Sequence, residues 1–139
     1  MNRTYLGIDY GRRRIGVAKS DATGLIASAL TTLEVRSVKD ATNQVLQLIE
    51  EIEPNGLVFG YPMLASGDKS DMCEEIDRFI SGLQKSYEGP VHRIDERHTS
   101  QEAAAVIHAH GKKTGKDKKR IDRLAAVIIL QQYLDENPA

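Results

Sequence analysis

One cysteine, no tryptophan, four prolines and no apolar run near the ~18 residues of a membrane span mark this chain by what it lacks. A lone Cys73 excludes an intramolecular disulfide and a thiolate zinc centre. Aromatic residues make up only 5% of the chain, which argues against a platform for stacking single-stranded bases. The longest apolar run, residues 125–130, sits inside an amphipathic pattern. We expect no secretory leader in the opening residues, because Asp9 and the arginines at 12, 13 and 14 arrive too early for one. These absences lead us to expect a cytoplasmic protein with no membrane partner.

What is present is the composition of a globular domain: 139 residues, 40% hydrophobic and 28% charged, with 11 glycines. That length predicts a single domain over residues 1–139, large enough to build its own core. The net charge of −1 conceals a segregated distribution. Residues 112–123 hold seven basic side chains against two acids, and Arg12, Arg13 and Arg14 form a second basic cluster. Acids gather at Glu50, Glu51 and Glu53, and again at Asp68, Asp71, Glu74, Glu75 and Asp77. Segregation of this kind points to a polyanion on one face, although a basic run is often only a solvated loop.

Periodicity gives the order of elements. Residues 4–10 and 14–20 read as two strands joined by a short turn, an antiparallel hairpin. Residues 29–35 are a third, β-branched run. Ala41, Val45, Leu48, Ile49 and Ile52 then form a helical stripe ended by Pro54 and Gly56. Residues 57–59 are a short buried strand. Met72, Ile76, Phe79, Ile80, Leu83 and Tyr87 form a second helical stripe, broken by Gly89 and Pro90, and residues 91–94 a fifth strand. Thr99 with Glu102 reads as a capping box for a helix over 100–110, followed by a lysine-rich loop and a last helix over 121–134. Strands reached through helices join in parallel by right-handed crossovers. The expected fold is therefore α/β, a five-stranded mixed sheet of order 3-2-1-4-5 with helices on both faces.

In such a sheet, ligands approach the carboxyl ends of the parallel strands. Asp9 stands at that end of strand one, Asp95 and Glu96 at that end of strand five, and Asp122 at the expected start of the last helix. Carboxylates drawn together repel unless a cation sits between them, and hard oxygen donors suit Mg²⁺ or Mn²⁺ rather than zinc. Two such ions activate water and stabilise the leaving oxygen in phosphoryl displacement. Arg12, Arg13, Arg97, Lys116, Lys118, Lys119 and Arg120 are the candidate phosphate contacts at the rim. Each acid also has a plain structural reading: a hairpin contact for Asp9, an Asx turn for Asp95, a dipole-favoured helix acid for Asp122.

Four blocks carry a resemblance. The LGIDYG stretch at 6–11 with RIGVA at 14–18, VFGYP at 58–62, DERHTSQEA at 95–103 and IDRLAAVIILQ at 121–131 together resemble the YqgF/RuvX family, in order and over nearly the whole chain. The resemblance implies an RNase H-like fold, in the wider group of RuvC Holliday-junction resolvases. It implies the family's assigned role, a nuclease maturing the 5′ end of pre-16S ribosomal RNA during ribosome biogenesis. It places the acidic motif, catalytic and metal-holding alike, at Asp9, Glu96 and Asp122. Choosing Glu96 over Asp95 follows the resemblance, since only one of two neighbouring strand residues can face Asp9. The sequence departs from the family pattern at Tyr61, usually leucine, at His98 and Arg123, and at Asp77, usually basic; strand four ends without the acid that RuvC-type resolvases carry there.

Rival chemistries fare poorly. His108 and His110 are two apart on a helix and cannot clasp one metal, while His92 reads as a surface residue and His98 as a helix entry. Cys73 beside Glu74 and Glu75 is a poor nucleophile. No phosphate-binding loop has the required spacing. An actin-like ATPase would need a second domain. The alternatives to an RNA nuclease are a junction-resolving DNA endonuclease and a non-catalytic RNA-binding assembly factor. The partner is accordingly RNA (pre-rRNA) or structured DNA, and the chain a monomer or homodimer.

Overall fold

A computed structural model describes residues 3–95 and 115–138. In chain order these form β1 (Tyr5–Asp9), β2 (Arg14–Ser20), β3 (Ala27–Glu34), α1 (Val38–Ile52), β4 (Gly56–Tyr61), α2 (Asp71–Leu83), β5 (Val91–Asp95) and α3 (Gly115–Glu136). The five strands form one sheet of order β3-β2-β1-β4-β5, as the crossover argument expects. β1 pairs antiparallel with β2 and β2 with β3, whereas β1 with β4 and β4 with β5 run parallel. The expected helix over 100–110 lies outside the described residues.

Strand alternation divides the core in two. Leu6, Ile8, Ile15, Val17, Leu57 and Phe59 point to one face, where Val45 of α1 and Ile76, Phe79 and Ile80 of α2 cover them. Ala18, Val58 and Ile94 point to the other, beneath Ala126, Ile129 and Leu130 of α3. Phe59 and Phe79 meet edge to face, their ring centroids 6.2 Å apart, in the larger cluster. Truncating either to alanine removes roughly 3–5 kcal/mol of packing. The helices are opened by serines: Ser37 Oγ accepts the Asp40 backbone N–H and Ser70 Oγ that of Cys73, each satisfying an otherwise orphaned donor.

Three expectations are corrected. α2 ends at Leu83, short of the stripe's last member; Tyr87 instead reaches the core from a turn in which its backbone N–H bonds Leu83 O and its hydroxyl donates to Pro90 O. The lysine-rich segment, as far as it is described, is not a loop. α3 starts at Gly115, so Lys116 to Arg120 are helical. The apolar stripe that marks the helix from sequence begins only at Ile121, but lysine and arginine are good helix formers. Polar contacts replace packing in these first turns: Arg120 pairs with Asp117 at 2.9 Å, Lys119 with Glu34 at 2.7 Å, and Thr32 Oγ1 donates to Lys119 O. No helix among the described residues is long and apolar enough to cross a membrane.

His92 is the third correction. It is half-buried, its Nε2 3.1 Å from Tyr133 Oη and its ring 4.6 Å from that of Tyr133, with Tyr5 closing the aromatic group edge-on. Burial pushes this imidazole below its ordinary value of 6.5. The unfolded chain therefore takes up the proton first as pH falls, and the folded state loses stability from about pH 6.5 downward through the lowered folded value. Thermal melts should show a steeper fall in Tm between pH 7 and 5 for the native chain than for His92→Phe.

Candidate active site

The carboxyl ends of β1, β4 and β5 share one edge of the sheet with the start of β2 and the end of β3. Asp9 is the last residue of β1 and half-buried. Gly7, two residues earlier, lies directly under α3, so Asp9 shares the α3 face. Its cross-strand partner is Gly16. A Cβ added to Gly16 would stand 2.0 Å from the backbone oxygen of Asp122. Gly16 thus lets α3 descend onto the sheet beside Asp9. Two carboxylate residues from opposite ends of the chain border the same glycine.

Asp122 does not begin α3 as expected but sits about two turns inside it, because the basic segment is helical. That shift moves it from the helix entry to the level of the strand ends. Its carboxylate is paired with Arg14, Nε to Oδ2 2.7 Å, with side chains 32% and 18% exposed respectively. Arg14, Lys118, Ile121 and Asp122 line a cavity of about 240 Å³.

On β5, Ile94 packs under α3 while Arg93 reaches α2, where its Nε donates to Asp77 Oδ1 at 3.0 Å. Asp95, two residues from Arg93, therefore takes the face opposite Asp9. Glu96 and Arg97 lie outside the described residues. Among the described residues no three His, Cys, Asp or Glu side chains converge as a metal site; Asp9 and Asp122 are the acidic residues that border Gly16. An all-oxygen pair of carboxylates matches Mg²⁺ or Mn²⁺, which keep several waters and need only one or two such ligands, and does not match zinc.

The basic rim is partly engaged. Lys116, Lys118 and Arg120 are exposed on the first turns of α3, whereas Lys119 is held by Glu34. Arg123 donates from Nη1 to Thr32 Oγ1 at 3.1 Å, fastening α3 to β3. Arg13 is exposed. Arg12 grips Glu75 of α2 through a forked contact, with Nε 3.0 and 3.1 Å from the two carboxylate oxygens. That hydrogen bond holds the Glu75 carboxyl below its usual range. The Arg12 side chain is 68% exposed, and an ion pair at the surface contributes little to stability.

Two features escape a sequence reading. The departures at Tyr61 and Asp77 are a single unit: Tyr61 Oη donates to Asp77 Oδ2 at 2.8 Å. Lys69 and Arg93 also donate to Asp77, and both cations lie over the Tyr61 ring, 5.9 and 5.8 Å from its centroid. Burial pushes the Asp77 carboxyl up, but the three donors outweigh it and hold it below its ordinary value. The basic side chains of Lys69 and Arg93 thus flank the acid at position 77. The second is the pairing of Arg14 with Asp122: the sequence places Arg14 in a basic cluster but carries no sign of its partner.

Comparison with known proteins bears on the family and the fold. A family profile described as RuvX, Holliday junction resolvase, matches residues 3–136. A protein of Crocosphaera subtropica, named provisionally as a pre-16S rRNA nuclease, is 42% identical over 134 residues, 96% of this chain and 94% of its own. A Chloroflexus aurantiacus protein with the same provisional name is 40% identical over 130 residues, 94% of this chain and 85% of its own. Among solved structures, Thermus thermophilus RuvC in complex with a Holliday junction substrate superposes with a TM-score of 0.58 at 14% identity, covering 96% of this chain and 94% of that one. The Fowlpox virus resolvase with Holliday junction DNA gives 0.61 at 14% identity, covering 98% and 99%. At that identity the two structures establish a shared RNase H-like fold. Taken with the near-complete match to the profile and to relatives of about 40% identity, they leave one assignment: the chain belongs to the RuvX family.

Proposed function

We propose that this chain is a metal-dependent nuclease acting on RNA, processing the 5′ end of pre-16S rRNA in the cytoplasm. The family description and the relatives' names both denote enzymes that cut nucleic acid phosphodiester bonds. The observation that carries the reading is that Asp9 and Asp122 both border Gly16, Asp9 as its strand partner and Asp122 through its backbone oxygen, at the carboxyl edge of the sheet and beside exposed basic residues. The relatives' names favour RNA. The absence of an acid at the end of β4, in Gly60 and Tyr61, weighs against junction resolution.

In this reading Asp9, Glu96 and Asp122 hold Mg²⁺ or Mn²⁺, which when bound supplies an activated water and offsets charge on the leaving oxygen. The protein's own contribution is placement. β1 carries Asp9 and α3 carries Asp122, and the close backbone approach of α3 at Gly16 sets where the two elements stand. Lys116, Lys118 and Arg120, with Arg12, Arg13 and Arg97, hold the substrate's phosphates and set its register, reading backbone and shape rather than sequence. The test is cleavage of a pre-rRNA fragment and of a four-way DNA junction, each with and without Mg²⁺ or Mn²⁺. Divalent-dependent cutting of RNA alone supports the proposal; cutting of the junction alone makes the chain a DNA endonuclease, and binding without cutting makes it an assembly factor.

The rim makes a separable prediction. Replacing both Lys116 and Lys118 with glutamine should weaken RNA binding and lower the slope of log affinity against log salt by about 0.7 per lost phosphate contact. Lys119→Gln should change the slope less, because its ammonium is already paired with Glu34. Equal slopes in all variants, measured by fluorescence anisotropy from 50 to 300 mM salt, would make the rim a solvated surface.

A further inference from the structure

Arg14 opens β2 on the face shared by Gly16 and Ala18, and its guanidinium meets Asp122 at 2.7 Å. Its cross-strand neighbour Glu34 is already taken by Lys119 at 2.7 Å. The pairing is thus selective: of two nearby acids, Arg14 serves the one that borders the Asp9 strand. Asp122, 18% exposed, is costly to leave unpaired, and Arg14 supplies the positive charge there. The contact also lines the 240 Å³ cavity, so an incoming cation meets the guanidinium at the carboxylate it needs.

We propose that Arg14 is the resident counter-cation of Asp122, occupying this carboxylate while the site is metal-free and competing with a dication for it. This rests on the reading of Asp9 and Asp122 as dication ligands. Arg14 acts through Asp122 and is a positioning residue. It keeps the acidic edge folded before metal arrives, and it sets how much free dication is needed to load the site. Occupancy by either cation excludes the other at that oxygen, so the affinity for metal carries the free energy of the ion pair.

Calorimetric titration of Mn²⁺ into the full chain tests this without any activity assay. The native chain should bind Mn²⁺, and Arg14→Gln should bind it about fivefold or more tightly. Arg14→Lys, which keeps the charge but not the fork, should lie between them. Arg13→Gln, an equal loss of charge one residue away, should stay close to native. The metal-free Tm of Arg14→Gln should fall and recover at saturating Mn²⁺; if that variant does not fold, Arg14→Lys carries the comparison. Equal or weaker binding in the Arg14 variants overturns the proposal, and so does tightening of the same size in Arg13→Gln, which would reflect net charge alone. If Mn²⁺ binding survives in those cases and is lost in Asp9→Asn, the reading of the site stands without this role for Arg14. If no variant and not the native chain binds Mn²⁺, both fall together.

Discussion

Asp9→Asn should lower divalent-dependent RNA cleavage by at least about 100-fold while leaving RNA binding unchanged or tighter. The substitution preserves shape and removes one negative charge. Losing a residue that merely orients a metal ligand costs 10–100-fold in such sites, so loss of a ligand itself should cost no less. Asp9 stands at the end of a central strand, its backbone paired with Gly16 of β2 and its neighbour Ile8 with Phe59 of β4, which limits any compensating shift. Because the basic rim is on α3 and in the β1–β2 turn, phosphate contacts survive the change. Single-turnover cleavage and equilibrium anisotropy on the same RNA separate the two effects. Undiminished cleavage by Asp9→Asn would remove Asp9 from the chemistry and with it the proposed mechanism.

Gly16→Ala should be among the most damaging single changes away from any charged group. The added Cβ would lie 2.0 Å from Asp122 O and 3.0 Å from the Arg123 backbone nitrogen, and neither atom belongs to a flexible side-chain end. Relief requires α3 to lift off the sheet, which opens the core formed by Ala126, Ile129 and Leu130. A cost of about 3 kcal/mol or more follows, a fall in Tm of roughly 10 °C for a domain of this size. Gly7→Ala should behave similarly against Leu130 Cβ at 2.6 Å and Ala126 O at 2.9 Å. Gly82→Ala in α2 meets nothing within 4 Å and should instead stabilise the helix by up to about 1 kcal/mol. Urea denaturation of the three variants gives the order directly, and a Gly16→Ala protein as stable as the native chain would show that α3 does not pack as described.

The two effects share an origin. The closeness that places Asp122 beside Asp9 is the closeness that leaves no room for a methyl group at Gly16. A Gly16→Ala chain that still folds should therefore also lose affinity for Mn²⁺.

What the sequence determined by itself is the order of the described elements and the topology of the sheet. Periods of two and 3.6 are local properties of the chain, and the handedness of crossovers leaves one economical arrangement for strands separated by helices. The RuvX blocks were legible for a related reason, since each is a short run of neighbouring residues. The tertiary structure alone decided the rest. It carried α3 back to Gly115, because ion pairs to Glu34 and a hydroxyl contact from Thr32 lie across the chain and leave no periodic trace. It put Asp95 on the α2 face, joined Tyr61 to Asp77 across the β4–α2 connection, and paired Arg14 with Asp122. Each of these is a contact between distant segments, and such contacts depend on where whole elements pack, which no local pattern encodes.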